Sequence, residues 1–123
     1  MDKAQALHSF WSSFGLSAYD QLTVPDTAQM PYITYSAVMD KIGTPVALTG
    51  SLWYRSTGWA DITHKADEIS QYVNQNGHAV KKCDTGYLYI TAGQPFAQRM
   101  SDDTDDMIRR IYINIMAEYL TAY

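Results

Sequence analysis

The 123-residue sequence has little cysteine, few basic residues and no long apolar run. Its one cysteine, Cys83, excludes an internal disulfide and is typical of a reducing compartment. No apolar segment reaches the roughly 18 residues of a membrane span, and the start, MDKAQALHSFW, has an acid at position 2 and none of the apolar character of a signal peptide. These features predict a soluble intracellular protein with a single domain over residues 1–123.

Clustered positive charge is missing as well. Charged residues make up 18% of the chain and the net charge is −4. The adjacent basic pairs are Lys81–Lys82 and Arg109–Arg110, whereas binding through phosphates needs a larger patch of Lys and Arg. The composition therefore predicts no specific nucleic-acid ligand.

The sequence also lacks the usual catalytic and cofactor motifs, since it contains no G-x-S-x-G, P-loop or G-x-G-x-x-G. The three histidines, His8, His64 and His78, provide no i, i+4 pair for a metal on a helix. Cys83 with His64 or His78 is a formal nucleophile and base, but a thiol packed in a strand as a small hydrophobe explains Cys83 more simply. These patterns predict no metal and no cofactor and offer no strong candidate for a catalytic residue.

Apolar spacing predicts two helices, at residues 3–14 and 58–75. Asp2 is placed to cap the first helix and Gly15 to end it. The apolar stripes on which the helices are predicted are Leu7, Phe10, Trp11 and Phe14 in the first and Ile62, Ala66, Ile69 and Val73 in the second.

Alternating patterns predict strands. One hairpin is expected from residues 32–42 and 46–56 around a turn at 43–45, and another from 78–83 and 87–92, with a chain break at 93–95 and a loop before residue 32. The last residues, 106–123, alternate isoleucine with polar side chains and are predicted as a strand, although a helical stripe fits them nearly as well. Helix, hairpin, helix, hairpin and long strand make an α+β domain, a mainly antiparallel sheet with two helices packed on one face.

Polar and aromatic positions of these strands are candidate interface residues. In PYITYSAVM, residues 31–39, Tyr32 and Thr34 lie opposite Ile33 and Tyr35, so they face away from the predicted core. Trp53 and Arg55 in the next strand belong to the residue types that dominate interface hot spots. Core packing at the strand-to-helix corner is the alternative, and it is the better interpretation for one of the two tryptophans there, Trp53 and Trp59.

The acidic stretch SDDTDD, residues 101–106, has two interpretations. It lacks the glycine and the distal glutamate of a calcium loop, so an exposed turn of mutually repelling charges is the plainer one. The other is a loop that faces a basic partner or a channel. Its candidate residues are Asp102, Asp103, Asp105 and Asp106.

The order of several motifs resembles that of the tail-terminator or tail-completion (head–tail joining) proteins of long-tailed bacteriophages and prophages of Gram-positive bacteria. Together these motifs span most of the chain. The motifs are Ala18-Tyr19, Val24-Pro25, the PYITY stretch at 31–35, the strand with Leu52-Trp53-Tyr54 and its following helix, and the terminal strand with Arg109-Arg110.

This resemblance implies a structural protein of the virion tail and neck, present in the host cytoplasm during assembly, with no catalytic residues. The implied partners are copies of itself in a ring, commonly of six, the tail-tube protein and the head–tail connector, with DNA passing through the ring. A related neck or minor head-completion protein is one alternative. A small ligand-binding or hydrolytic α+β domain is an alternative of a different class.

Overall fold

The computed structural model describes residues 1–102 and 104–123, which form two α-helices and six strands in one sheet. The helices are α1 (Lys3–Trp11), followed by a 3-10 turn at Ser12–Phe14, and α2 (Ala60–Asn74). The strands are β1 (Ser17–Asp20), β2 (Tyr32–Tyr35), β3 (Val46–Arg55), β4 (Ala79–Cys83), β5 (Gly86–Met100) and β6 (Ile108–Thr121).

The sheet is mixed and mostly antiparallel, in the order β1-β2-β3-β6-β5-β4. Only β1 and β2 run parallel among the described strands. Both helices bury their apolar stripes on one face of the sheet, against alternate residues of the central strands, and the α+β prediction is confirmed. The core between these layers includes Leu7, Phe10, Ile62, Ile69, Leu48, Leu52, Ile111, Ile113 and Ile115.

The start and packing of α1 follow from its sequence. Asp2 and Gln5 form the capping box, and Gly15 adopts the left-handed backbone, with φ of 75°, that ends the following turn. Trp11 is fully buried and stacks on Tyr35, with ring centroids 6.3 Å apart. Its indole lies against Gly50, where a Cβ atom would come within 2.5 Å of the ring. Glycine in the middle of β3 therefore makes room for the largest core side chain.

The C-terminal segment is the strand β6, as predicted. It pairs with β3 on one side and with β5 on the other, so it lies in the middle of the sheet. Its isoleucines at 111, 113 and 115 are buried toward the helices, while the residues between them face the other way.

The segment between α1 and β3 differs from its prediction in two ways. Residues 17–20, expected in a loop, form the edge strand β1. The predicted strand 32–42 ends at Tyr35, and the chain after Ser36 forms a longer connection instead of a three-residue hairpin turn. This connection contains a turn in which the Thr44 N–H donates to the Lys41 carbonyl at 3.2 Å. The reason is tertiary, because Tyr119 Oη donates to the Val38 carbonyl at 2.8 Å and Ile42 N–H donates to Thr121 O at 2.9 Å.

The predicted break at residues 93–95 is a bulge inside β5. Ala92 pairs with Ile115 and Ala97 with Ile113. Residues 93–96 of β5 therefore lie opposite the single residue Asn114 of β6, and the extra residues form the bulge. Asn114 Nδ2 donates to the Pro95 carbonyl at 2.8 Å and holds the bulge against β6. Pairing therefore resumes beyond the proline, and β5 continues to Met100.

Candidate interaction surface on the open face of the sheet

The face of the sheet opposite the helices carries the polar and aromatic residues of its strands. Because Ile33 and Leu52 are buried beneath the helices, their strand neighbours point to the other side. Among the described residues, no helix packs against that side. We term it the open face; it comprises Tyr19, Tyr32, Thr34, Thr49, Ser51, Trp53, Arg110, Tyr112 and Asn114.

Three aromatic rings form a row across the open face. Tyr19 meets Tyr32 edge to face, with ring centroids 5.8 Å apart, and Tyr32 lies 6.5 Å from Trp53. The Trp53 indole N–H donates to Thr34 Oγ1 at 2.9 Å, which fixes the orientation of that ring. All three rings are partly exposed, so some of their apolar area remains available to a partner.

Arg110 extends this row onto β6. Its guanidinium lies 4.6 Å from the Trp53 ring centroid and 5.4 Å from that of Tyr112. Its Nε donates to Ser51 Oγ at 3.1 Å, so three neighbours fix the side chain. Its terminal nitrogens have no hydrogen-bond partner in the part of the chain that the structure describes. A guanidinium held in this way is suited to bind a carboxylate through two parallel hydrogen bonds.

Arg55, at the end of β3, pairs with the acidic loop before β6. Its Nη2 donates to Asp105 Oδ2 at 2.8 Å. The backbone N–H of Met107 and then the Arg55 guanidinium hold the pKa of Asp105 below its ordinary value. The Arg55 side chain is 55% exposed, so the pair is weakened by solvent and contributes little to folding.

Asp102 organises the same loop from within. Its Oδ1 accepts from the hydroxyl and the N–H of Thr104 and from the N–H of Asp105. The bonds from Thr104 lower the pKa of Asp102, with a smaller contribution from the charge of Arg110. Asp106 offers its carbonyl to Arg109 Nη1 at 2.6 Å, and Asp103 lies outside the described residues. The carboxylate of Asp102 is therefore engaged within its own loop, and that of Asp105 is engaged by Met107 of the loop and by Arg55 of β3.

All four arginines of the sequence lie at this end of the sheet. Arg55 and Arg110 are on or beside the open face. Arg99 and Arg109 lie on the helix side, where their guanidiniums are 4.7 and 5.4 Å from the ring centroid of Trp59. Arg109 also donates to the Thr57 carbonyl at 3.0 Å.

The structure brings most of the predicted interface residues together. Tyr32, Thr34 and Trp53 are in contact on the open face, and Arg55 and Asp105 form an ion pair beside them. Sequence reasoning missed Tyr19, Ser51, Arg110 and Tyr112 as members of this surface. The available signal was the alternation in β6, which places Arg110 and Tyr112 opposite the buried isoleucines.

One set of side chains around the end of α1 resembles part of a hydrolase site. Ser12 Oγ lies 3.1 Å from His8 Nε2, and His8 Nδ1 lies 3.1 Å from the Tyr35 hydroxyl. A catalytic triad uses a carboxylate at the third position to stabilise the imidazolium. Burial, with a further contribution from Asp20, raises the pKa of Tyr35, so its phenol is neutral at pH 7 and does not supply that charge.

Other candidates for chemistry are dispersed. Cys83 is buried on β4, and the His78 ring stacks on Tyr89 at 4.9 Å. Among residues 1–102 and 104–123, no group of three or more His, Cys, Asp or Glu side chains is placed to hold a metal ion. The described helices are too short or too polar to cross a membrane. A surface groove of about 670 Å³ lies beside Phe14 and Tyr72.

No family model matches this sequence, and no curated protein matches it either. The residue pattern and the geometry of the open face are therefore the grounds on which a function can be proposed.

Proposed function

We propose that this protein is a structural component of a long-tailed bacteriophage or prophage. It caps the finished tail tube as a homo-oligomeric ring and provides the docking surface for the head connector. The observation that carries the proposal is the open face, where tyrosines, a tryptophan and an arginine are fixed in position with no helix over them among the described residues. The motif resemblance supplies the biological setting.

The open face is better suited to docking than to catalysis. Tyr32, Trp53 and Arg110 contact one another, and Trp53 and Arg110 are held further by Thr34 and Ser51. Side chains that are ordered before binding lose less conformational entropy when a partner arrives. The residue types are those found at the centre of protein interfaces.

A ring of identical subunits requires two different, complementary patches on each copy. The layered fold gives each copy two chemically distinct sides, the open face and the outer surface of the helices. A subunit with a net charge of −4 also suits a ring through which DNA passes, because the channel should repel phosphate. On this proposal the partners are further copies, the tail-tube protein and the head connector, and the protein resides in the virion neck after assembly in the host cytoplasm.

Deletion of the gene from an inducible prophage that encodes it tests the role. We expect tails of uncontrolled length without attached heads, imaged by electron microscopy, and recovery when the intact gene is supplied on a plasmid. Tails of normal length with unattached heads would assign the protein to head–tail joining, the related neck role. Normal infectious particles would contradict both roles.

A further inference from the structure

We propose that Arg110 of one copy binds the carboxylates of Asp67 and Glu68 on α2 of a second copy, in a head-to-tail contact. The inference rests on the proposed ring and adds to it the two surfaces that meet between neighbouring subunits. The open face is one of these surfaces, and the outer side of α2 is the other.

The guanidinium of Arg110 is prepared for an acidic group. Trp53 and Tyr112 flank it and Ser51 binds its Nε, and among the described residues its terminal N–H groups make no hydrogen bond. Asp102 is close enough for Arg110 to affect its pKa. Its Oδ1, however, is occupied by Thr104 and Asp105, and within the described residues it makes no ion pair with Arg110.

The outer side of α2 carries three acids, of which Glu68 is paired with Lys65 of the same helix. Asp61, Asp67 and Glu68 are exposed, while Lys65 turns inward. The Lys65 side chain is 19% exposed and its Nζ donates to the Phe14 carbonyl at 2.6 Å, with Glu68 Oε1 at 3.0 Å. Asp67 has no hydrogen-bond or salt-bridge partner among the described residues. Asp67 is therefore an acid on this side of α2 without a partner in the described residues, and Glu68 beside it shares Lys65 with the Phe14 carbonyl.

The surroundings of Arg110 favour a carboxylate on a protein over a nucleic-acid backbone. Asp102 and Asp105 lie in the adjacent loop, and their charges would repel a polyanion more strongly than a partner that brings one or two carboxylates. A folded partner instead presents one or two carboxylates at fixed positions, and the chain itself supplies such a surface on α2. Because the open face and α2 lie on opposite sides of the sheet, their contact repeats from copy to copy and gives a ring or a filament rather than a two-fold dimer.

Chemical cross-linking reads this contact directly. In Arg110→Lys, the introduced amine can be joined by a carbodiimide to a carboxylate that it touches. A mixture of isotopically light and heavy protein distinguishes links between copies from links within one copy. We expect inter-copy links from position 110 to Asp67 or Glu68, detected by mass spectrometry. The native Lys82, exposed on β4, is the internal control and should give no link to α2. Links only within one copy, only to other acids, or none at all would overturn the proposal.

A charge exchange tests the same contact by energetics. Arg110→Glu should weaken self-association by about tenfold or more, and the pair Asp67→Lys and Glu68→Lys should do the same. All three changes in one chain should restore association, because each contact then has the reversed charges. Lys82→Glu makes the same change of net charge elsewhere and should have no effect. If Arg110→Glu does not fold, as judged by circular dichroism, Arg110→Gln replaces it and should still weaken association.

The outcomes separate this contact from the proposed function. If the exchange fails while the deleted prophage makes overlong tails, these surfaces are wrong and the ring role stands. If the exchange succeeds while the deletion leaves particles normal, the contact is right and the tail role is wrong. Association is followed by sedimentation velocity of the purified full chain.

Discussion

The two faces of the sheet are made from the same strands, yet their side chains are held in different ways. Between the helices and the sheet, Trp11 of α1 and Ile113 and Tyr119 of β6 are completely buried in the hydrophobic core. On the open face, Trp53 and Arg110 keep part of their surface exposed and are ordered by rings and single hydrogen bonds. The comparison indicates that a change on the covered face should reduce folding stability, whereas a similar change on the open face should reduce binding.

Trp11→Ala should have the largest effect on folding. The change removes a fully buried indole that fills the space over Gly50 and against Tyr35. Loss of a large buried aromatic should lower the free energy of unfolding by about 3–5 kcal/mol. Urea denaturation followed by circular dichroism measures it. A loss no larger than that of Trp53→Ala would contradict the distinction between the faces.

Folding stability at alkaline pH should depend on Tyr119, which is buried on the covered face. Burial, with a further contribution from Cys83, raises the pKa of Tyr119 from 10.0 to about 12. The folded state therefore holds this proton more tightly than the unfolded chain, and the resulting stability is complete below pH 10 and lost as the pH rises to about 12. The loss should be about 2–3 kcal/mol. In Tyr119→Phe, the free energy of unfolding should fall by about 2–3 kcal/mol less than in the native protein over this pH range. An unchanged pH dependence would show that Tyr119 is not the group responsible.

Gly50→Ala should destabilise the protein although it adds only a methyl group. The new Cβ would lie 2.5 Å from the Trp11 ring, so the indole must move. Overpacking of this kind should cost about 1–3 kcal/mol in thermal or urea unfolding. Gly58→Ala is the matched control, because nothing lies within 4 Å of the position of its Cβ. Equal effects at the two glycines would show that backbone entropy rather than Trp11 packing is being measured.

Trp53→Ala, a change on the open face, should reduce function more than folding stability. It removes the hydrogen bond to Thr34 and the ring under Arg110, which should lower the free energy of unfolding by about 1 kcal/mol. We expect it to abolish complementation of the deleted prophage although the purified variant is folded. Trp53→Phe keeps an aromatic surface without the N–H and should retain part of the function. Full complementation by Trp53→Ala would remove the open face from the account.

Asp105→Asn should have the smallest effect. The Arg55–Asp105 pair is exposed, and the loop keeps the turn contacts of Asp102 with Thr104. We expect no resolvable change in the urea midpoint. A clear loss of stability would show that the acidic loop supports the fold as well as bordering the open face.

Much of the fold could be predicted from local patterns. The spacing of Leu7, Phe10 and Trp11 and the alternation of Ile111 and Ile113 depend only on which side faces the core, and both were confirmed. The edge strand β1 was missed because its four residues are defined by parallel pairing with β2, which no local pattern records. The early end of β2 depends on the distant Tyr119 hydroxyl, and the continuation of β5 depends on Asn114.

The candidate surface could be predicted only in part. Residue type and alternation were enough to select Tyr32, Thr34 and Trp53. The position of Arg110 over Trp53 required the register of β3 against β6, which sets Trp53 opposite Arg110 across a long sequence separation. The acidic loop was identified, but the bonds that engage Asp102 and Asp105 depend on Thr104, Met107 and Arg55 in three dimensions.

The most direct test of the open face is electron cryomicroscopy of intact particles at side-chain resolution. The account predicts a ring of this protein at the head end of the tail, with Trp53 and Arg110 of each subunit covered by its neighbour. A neck that contains no copy of it, or a ring in which these two side chains face solvent, would contradict the account.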